Sequence, residues 1–355
     1  MKALLAFELL SPERIDESVL NGFDDRIFCQ RFHWLRFVQS ITNGRIIVAG
    51  LNQGGHSVGY FSGILFRRMG VPILGSPFRG WTTPYMGFNL PRDFPRAEAL
   101  SALARFAFGE LGCLHLEVAD RRLTVEDGTR AGFAHNMRSG YLSDLTAGED
   151  QIFQGMTSAC RRAIRKAEKS GVVIEEASPD GFAEEYHTQL EDVFAKQDLR
   201  PTYSADRVAR MISHVHPSGD LLLIRAREPG GKSIATGLYP GFGSLSFFWG
   251  NGSLREHQQL RPNEALHWYA MRYWKDRGMR QHEWGGAGDY KAKYGGTPFT
   301  LPEFRRSRYR FIQLARDTAE RAYYFPRKLK KNRYMAKIRT RDAESSDGAE
   351  RPPGA

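Results

Sequence analysis

The chain has 355 residues, enough for two domains of ordinary size, and its 41% hydrophobic and 26% charged residues are typical of a globular protein. Three widely spaced cysteines, Cys29, Cys113 and Cys160, form no CxxC pair. This spacing argues against a zinc motif or a disulfide framework and favours a reducing compartment. No apolar run approaches the roughly 18 residues that cross a bilayer, and the opening MKALLAFELL predicts a strand rather than a signal peptide.

The net charge of +11 is concentrated near the end of the chain. Residues 327–341 (RKLKKNRYMAKIRTR) carry eight basic side chains and no acidic one. An anionic partner is therefore expected for this segment rather than for the whole protein. Two interpretations stay open: contact with an anionic membrane or RNA, and a solvated tail that aids solubility. We expect residues 327–355 to form a basic, disordered tail.

The first 145 residues predict a mixture of helices and strands. Helical spacing covers residues 31–41 and 95–111, a hairpin covers 45–51 and 57–66, and short strands cover 114–118 and 141–145. Residues 72–87 are irregular and rich in glycine, proline and aromatic side chains. Such a loop either binds a ligand or packs as a crossing loop, and Trp81 and Tyr85 are its candidate ligand contacts.

A long helix is predicted over residues 149–169, running without interruption between the two halves of the chain. Its last part, residues 161–169, carries five basic residues, among them Arg161 and Arg165. A solvated face is one interpretation, and a grip on phosphate or carboxylate groups is the other.

Beyond Gly171 the elements follow a similar order to those of the first half. The patterns predict a strand over 172–175, helices over 182–197 and 205–215, strands over 221–227, 233–239 and 244–250, a helix over 263–277, a strand over 281–284 and a helix over 309–324. Arg261, Pro262, Asn263 and Glu264 stand at the start of the helix over 263–277. Backbone amides at such a start bind anions, although proline there is also ordinary capping chemistry.

Residues 278–296 (GMRQHEWGGAGDYKAKYGG) hold six glycines around Tyr290, Lys291 and Lys293. Glycines let a ligand approach the backbone closely, so this segment is a candidate site. A glycine-rich turn with solvated lysines is the alternative.

Common catalytic signatures such as GxSxG, HExxH and the Walker lysine motif are absent from the sequence. His214 and His216 stand two residues apart, and no further ligand can be named for a metal beside them. No metal site is expected.

Three segments together resemble the FemAB-like branch of the GNAT acyltransferase superfamily. They are RRAIRKAEKSGV from Arg161, LRPNEALHWYAMRYWKDRGM from Leu260 and GAGDYKAKYGG from Gly286, and the likeness covers roughly residues 30–310. It implies an α+β (mixed α/β) fold of two tandem GNAT-like domains, each a mixed, mostly antiparallel sheet flanked by helices. The domains are expected at residues 1–170 and 171–326.

The resemblance also implies roles for residues. Tyr290 and Lys291 fall on the aromatic–lysine pair of the family and are the catalytic candidates. We assign donor binding to Arg261, Asn263 and Glu264, and acceptor binding to Trp81, Tyr85, Arg161 and Arg165. Lys293 is expected to be a solvated lysine. A base that takes the amine proton is left open among His282, Glu283 and Asp289.

The implied activity is transfer of an acyl group from an activated donor, acyl-CoA such as acetyl-CoA, to an amine on a cell-envelope or exopolysaccharide precursor. The acetyl-CoA loop Gln/Arg-x-x-Gly-x-Gly/Ala of ordinary GNAT enzymes is absent, so aminoacyl-tRNA, with a peptidoglycan cross-bridge as product, is the alternative. An alternative of another class is a non-catalytic protein that binds RNA or membrane. The expected location is the cytoplasm, with peripheral contact at the inner face of the membrane through the basic tail.

Overall fold

The computed structural model describes residues 5–11, 15–195, 199–286, 288–319 and 322. Residues up to Arg306 form one compact unit, and Ser307 begins a second. The basic segment 327–341 and the predicted tail over 327–355 lie outside the described residues.

Helices account for much of the first unit. They are α1 Glu17–Asn21, α2 Phe32–Thr42, α3 Arg96–Gly109, α4 Val125–Arg130, α5 Glu149–Gly155, α6 Ser158–Lys169, α7 Phe182–Ala195, α8 Ala205–Val215 and α9 Pro262–Asp276. The strands are β1 Leu5–Leu10, β2 Arg45–Gln53, β3 His56–Arg68, β4 Val71–Ser76, β5 Gly87–Asn89, β6 His115–Val118, β7 Ala134–Asp144, β8 Val173–Glu176, β9 Leu221–Arg227, β10 Ser233–Phe242, β11 Leu245–Phe247, β12 Gly250–Ser253, β13 Gln281–Glu283 and β14 Thr297–Ser307.

The strands form one mixed sheet that passes through both halves of the chain. Its order is β1-β2-β3-β4-β6-β14-β7-β13-β11-β10-β9-β8, with β5 on β3 and β12 on β10. Most neighbouring strands are antiparallel, and β4–β6 and β11–β13 are parallel pairs. The expected α+β class, a mixed sheet flanked by helices, is confirmed. The boundary expected at residues 170 and 171 falls between α6 and β8 and stays a prediction.

Both faces of the second half of this sheet are covered by helices. Leu221 and Leu223 of β9 belong to a core with residues of α2, α7 and α8. Leu222 and Ile224, the alternate residues, belong to a different core with residues of α6 and α9. Because successive side chains of a strand point to opposite faces, the apolar run over 221–224 reflects a strand buried on both sides.

The prediction of one continuous helix over residues 149–169 is wrong. The helix stops at Gly155, Met156 is extended, and Thr157 starts α6 by accepting a hydrogen bond from the Cys160 amide at 3.3 Å. The Thr157 amide donates to the Lys293 carbonyl at 2.9 Å. The break thus ties the start of α6 to the glycine-rich segment. Helices α1 and α4 and strands β5, β12 and β14 were not predicted, and β4 occupies the start of the segment 72–87 that was predicted to be irregular.

We expect Thr157→Ala to lower the free energy of unfolding by about 1 kcal/mol, because the variant loses the hydroxyl that caps α6. Urea denaturation monitored by circular dichroism measures this change. Thr188→Ala is the matched control: Thr188 lies within α7 and donates to the Glu184 carbonyl without capping a helix. This control should be neutral within about 0.5 kcal/mol. Equal effects of the two substitutions would contradict the capping role.

Candidate active site

The parallel pair β11–β13 separates after three residues and leaves a gap in the sheet. Phe247 is the last residue of β11 in register with Glu283, and the Phe248 amide still donates to the Glu283 carbonyl at 2.8 Å. Beyond this point one chain leads into β12, which pairs with β10, while the Trp284 amide donates to the carbonyl of Tyr141 in β7. The two chains are therefore drawn to opposite neighbours, which opens a V-shaped gap.

Lys291 lies at this gap. It belongs to a 3-10 turn over Asp289–Tyr294, and its Nζ donates to the Gly285 carbonyl at 2.6 Å. The same Nζ is 5.6 Å from the centre of the Phe248 ring on the other side of the gap. Gly285 and Gly286 have φ of 56° and 35°, which favours glycine at both positions. The glycine-rich backbone therefore folds back on itself, and the Lys291 side chain lies beside Gly285, just beyond the end of β13.

The Lys291 ammonium is partly removed from water. Burial lowers its pKa to about 8, Glu283 opposes this shift and Arg138 adds to it. At neutral pH the group is still mainly protonated, so it places a positive charge beside the gap. A positive charge in a poorly hydrated position is suited to stabilise an oxyanion.

Glu283, the last residue of β13, is fully buried and binds two side chains from the first half of the protein. The Tyr85 hydroxyl donates to its Oε2, and Arg138 Nη1 lies 3.3 Å from its Oε1. Arg138 also packs 4.6 Å from the centre of the Tyr85 ring and lies 3.6 Å from Glu303. The predicted acceptor residue Tyr85 thus reaches the strand that leads to Lys291.

The other candidate bases differ from Glu283. His282 points to the opposite face of the strand, where its Nδ1 is 2.8 Å from the Ser246 hydroxyl. Burial lowers the pKa of His282 to about 3, so this imidazole is neutral at pH 7. The side chain of Asp289 lies outside what the structure describes.

A second feature is a cavity of about 370 Å³ between α6 and the start of α9. Four basic residues and one acid line it, together with small side chains: Arg162, Lys166, Arg261, Lys293, Glu264, Ala159, Cys160 and Ala163. Two of the predicted donor residues, Arg261 and Glu264, therefore share one cavity. Asn263, the third, ties α9 to β12 through Asn251 at 2.8 Å and Ser253 at 3.2 Å.

Lys293 is not the solvated lysine that we expected. Its Nζ forms an ion pair with Glu264 at 2.8 Å, and the side chains of Lys293 and Glu264 are 30% and 11% exposed. The physical reason is the tight 3-10 turn, which directs Lys293 towards α9 while Lys291 turns back towards Gly285. Tyr290, beside them, is 55% exposed and lies 5.8 Å from Lys291 Nζ.

The remaining acceptor candidates make contacts that stabilise the fold. Trp81 is buried against Phe66 and Phe78. Arg161 donates to the Gln154 carbonyl at 2.7 Å and to that of Met156, so it caps the end of α5. Arg165 is exposed and lies 5.4 Å from the ring of Phe153. Acceptor roles for these residues stay predictions.

Arg138 was not identified from the sequence. It lies in β7 four residues before Leu142, which is opposite Glu283, so it sits beyond the end of β13 at the open gap. The sequence predicts a strand only over residues 141–145, so Arg138 falls outside it, and a single arginine at such a position does not indicate a site. Only the pairing of β7 with β13 brings the residue to the site.

We expect Lys293→Met to lower the free energy of unfolding by about 1–2 kcal/mol, because it leaves the mostly buried Glu264 carboxylate without its cation. Glu264→Gln should also destabilise. The double variant Lys293→Met/Glu264→Gln should lose less than the two single losses added together, since the pair is removed as a unit. Urea denaturation of the four proteins measures this coupling, and strictly additive losses would contradict the ion pair.

Comparison with known proteins shows a family match in the second half of the chain. Residues 156–294 match the family model of the acetyltransferase (GNAT) domain, a range that includes Arg261, Glu283 and Lys291. Tyr85 and Arg138 lie outside the matched range. No curated protein matches the chain.

Solved structures show a wider likeness in fold. FemX is 13% identical with a TM-score of 0.66, over 83% of this chain and 96% of FemX. A conserved protein of unknown function from Bacteroides thetaiotaomicron is 10% identical with a TM-score of 0.53, over 84% and 98% of the two chains. The C-terminal domain of a putative lysylphosphatidylglycerol synthetase from Agrobacterium fabrum is 12% identical with a TM-score of 0.50, over 80% and 90%. At these identities the likeness establishes the fold alone.

The described residues offer neither a cluster of metal ligands nor a membrane-spanning helix. No group of three or more His, Cys, Asp or Glu in this part of the chain is arranged to hold a metal ion. None of its helices combines the length and the apolar character needed to cross a bilayer.

Proposed function

Since residues 156–294 are a GNAT acetyltransferase domain and the chain has the FemAB-like fold of FemX, we propose that this protein is an N-acyltransferase. It takes an acyl group from an activated donor, acyl-CoA in the first instance, and transfers it to an amine. The acceptor we propose is a small molecule or a glycan precursor of the cell envelope or of an exopolysaccharide. The observation that carries the proposal is the partly buried Lys291 ammonium at the gap between β11 and β13.

The reaction requires a neutral amine to attack the carbonyl carbon of a thioester. The new C–N bond forms a tetrahedral oxyanion, the C–S bond then breaks, and the amine proton is lost to a base or to water. Lys291 supplies a fixed positive charge close to the forming oxyanion or the departing thiolate. A preorganised donor of this kind contributes about 3–4 kcal/mol to transition-state stabilisation. Tyr290, exposed beside Lys291, is proposed to contact the substrate.

The cavity between α6 and α9 supports a donor that carries phosphate groups. Its walls include Arg162, Lys166 and Arg261, and the 15-residue helix α9 begins at Pro262 beside it. Arginine and lysine side chains together with helix-terminal amides are suited to phosphate binding. Acyl-CoA and aminoacyl-tRNA both carry phosphates, so this cavity supports a phosphorylated donor without selecting between them.

Replacement of Lys291 by Met keeps the side-chain length and removes the charge. We expect turnover with acyl-CoA and an acceptor amine to fall about 10²-fold or more, with a much smaller change in KM, because the charge acts mainly in the transition state. Release of free thiol measures the rate. Lys169→Met, at an exposed position of α6, is the matched control and should retain full turnover.

Lys291→Arg should recover part of the lost rate, since it restores a cation in a different shape. Small and equal effects of Lys291→Met and Lys169→Met would refute the electrostatic role. The segment around Lys291 would then be a structural turn.

Ribonuclease treatment separates the two donor classes. If acyl-CoA is the donor, transfer to the amine continues after ribonuclease has destroyed all tRNA. If aminoacyl-tRNA is the donor, transfer stops, and added aminoacyl-tRNA restores it in the treated and repurified enzyme. Loss of transfer with acyl-CoA present would move the proposal to the aminoacyl-tRNA alternative.

Peripheral contact with an anionic membrane is proposed for the end of the chain. Residues 310–319 are helical, and Phe311 and Leu314, which share one face of this helix, are 67% and 69% exposed. The neighbouring Tyr309 stacks on Phe311 with ring centres 5.6 Å apart. Exposed apolar side chains that precede the basic run over 327–341 in the sequence suit a lipid surface that is negatively charged, where each basic residue adds roughly 1 kcal/mol.

Truncation after Phe325 should leave turnover of a water-soluble substrate intact and weaken binding to vesicles that contain anionic lipid, because the eight basic residues of 327–341 are lost. Phe311→Ser should weaken the same binding, whereas Val173→Ser, at a 59% exposed position elsewhere, should not. Sedimentation with vesicles at low and high salt measures both effects. Unchanged vesicle binding in the truncated protein would refute the membrane proposal, and a shift of binding from vesicles to RNA would favour the non-catalytic alternative.

A further inference from the structure

Glu283 is a fully buried carboxylate at the point where the sheet opens. Moving a charged carboxylate out of water is costly unless hydrogen bonds and an opposite charge replace its hydration. Here Arg138 supplies the opposite charge and Tyr85 supplies a hydroxyl donor. Such specific support for a buried charge, drawn from β7 and from the loop before β5, indicates a purpose beyond filling space.

The purpose is indicated by the short path from Glu283 to Lys291. Gly285, whose carbonyl accepts the hydrogen bond from Lys291 Nζ, is two residues beyond Glu283. The carboxylate and the ammonium therefore belong to one tight loop at the end of β13. Burial lowers the pKa of Lys291. Among the described charged residues, Glu283 opposes this shift and Arg138 adds to it.

Other groups near Lys291 do not replace this carboxylate. His267 of α9 is buried and bonded to the Tyr239 hydroxyl, and burial keeps its pKa well below the ordinary value, so it is neutral. Tyr290 is a neutral phenol beside Lys291. The charge balance at Lys291 is therefore set by Glu283 and Arg138 among the described residues.

We propose that Glu283 is a positioning residue: held by Tyr85 and Arg138, it fixes the end of β13, whose neighbouring Gly285 carbonyl binds the Lys291 ammonium, and it keeps that ammonium charged. This inference rests on the proposed function, because a charged Lys291 assists catalysis only if the protein transfers an acyl group. It assigns to the first half of the chain, outside the matched acetyltransferase range, an indirect influence on the Lys291 charge that acts through Glu283.

The charged groups around Glu283 partly offset one another. Arg138 balances the buried carboxylate, yet it is a second cation near Lys291. The Glu303 carboxylate at 3.6 Å offsets part of the positive charge of Arg138. Tyr85 stays protonated, because burial and then Glu283 raise its pKa well above the ordinary value. Tyr85 therefore keeps its proton, and with it the hydrogen bond to Glu283, at neutral pH.

The pH dependence of kcat/KM tests the proposal. Lys291 works when protonated, so the wild-type rate should decline as the pH rises through about 8, the pKa of the free enzyme's lysine. Glu283→Gln removes the charge that favours the ammonium, so this declining limb should move to lower pH by about one pH unit. Tyr85→Phe keeps the carboxylate and should move the limb less. Glu191→Gln, at a position 60% exposed on α7, should leave the limb in place.

A purely structural role of Glu283 would lower the rate at all pH values without moving the limb, and that result would overturn the proposal. If Glu283→Gln does not fold, Tyr85→Phe carries the test, because it removes a single hydroxyl. A limb that moves in neither variant also overturns it.

A second measurement does not depend on activity. Reductive methylation with ¹³C-formaldehyde gives each lysine an NMR signal, and the signal missing from Lys291→Arg identifies Lys291. Its titration midpoint should lie near 8 in the wild type and about one pH unit lower in Glu283→Gln. If the midpoint shifts while no acyl transfer is found with any donor, the proposed function fails and the coupling of Glu283 to Lys291 stands. An unchanged midpoint refutes the coupling itself.

Discussion

The separation of β11 from β13 is the constraint on which the site depends. The strands pair in parallel as far as Phe247 and Glu283, and then each chain bonds to a different neighbour, β10 on one side and β7 on the other. A continuous ladder would leave no space at the centre of the sheet. Since the backbone groups are satisfied by these other neighbours, the gap costs little in lost hydrogen bonds.

The gap also brings the two halves of the chain to one place. Strands β7 and β14 pair over nine residues, so a strand from the first half of the chain and the last described strand lie side by side near the middle of the sheet. Arg138 of β7 and Tyr85 of the aromatic-rich loop meet Glu283 there. The first half is thereby more than a support for the range that matches the acetyltransferase model, because it supplies the groups that stabilise the buried Glu283 carboxylate.

Lys291 and Lys293 show how a short turn gives two similar residues different surroundings. Lys291 is held by a backbone carbonyl and an aromatic ring, with a pKa lowered to about 8. Lys293 is paired with Glu264 at the edge of the cationic cavity. In an extended segment the two would point the same way, whereas the 3-10 turn separates them. Lys291 thus lies at the gap, whereas Lys293 binds Glu264 of α9 at the wall of the cavity between α6 and α9.

The sequence by itself determined the features that depend on local interactions. Glycine spacing marked the turn around Lys291, helical spacing marked α9, and the three motifs indicated the GNAT fold, because backbone freedom and side-chain period act over a few residues. Tertiary structure decided the partners of Glu283, since Tyr85 and Arg138 are 198 and 145 residues away in the chain. It also decided the break before Thr157, the pairing of β14 and the ion pair of Lys293. Those features follow from which strands and helices become neighbours, and no local pattern encodes that choice.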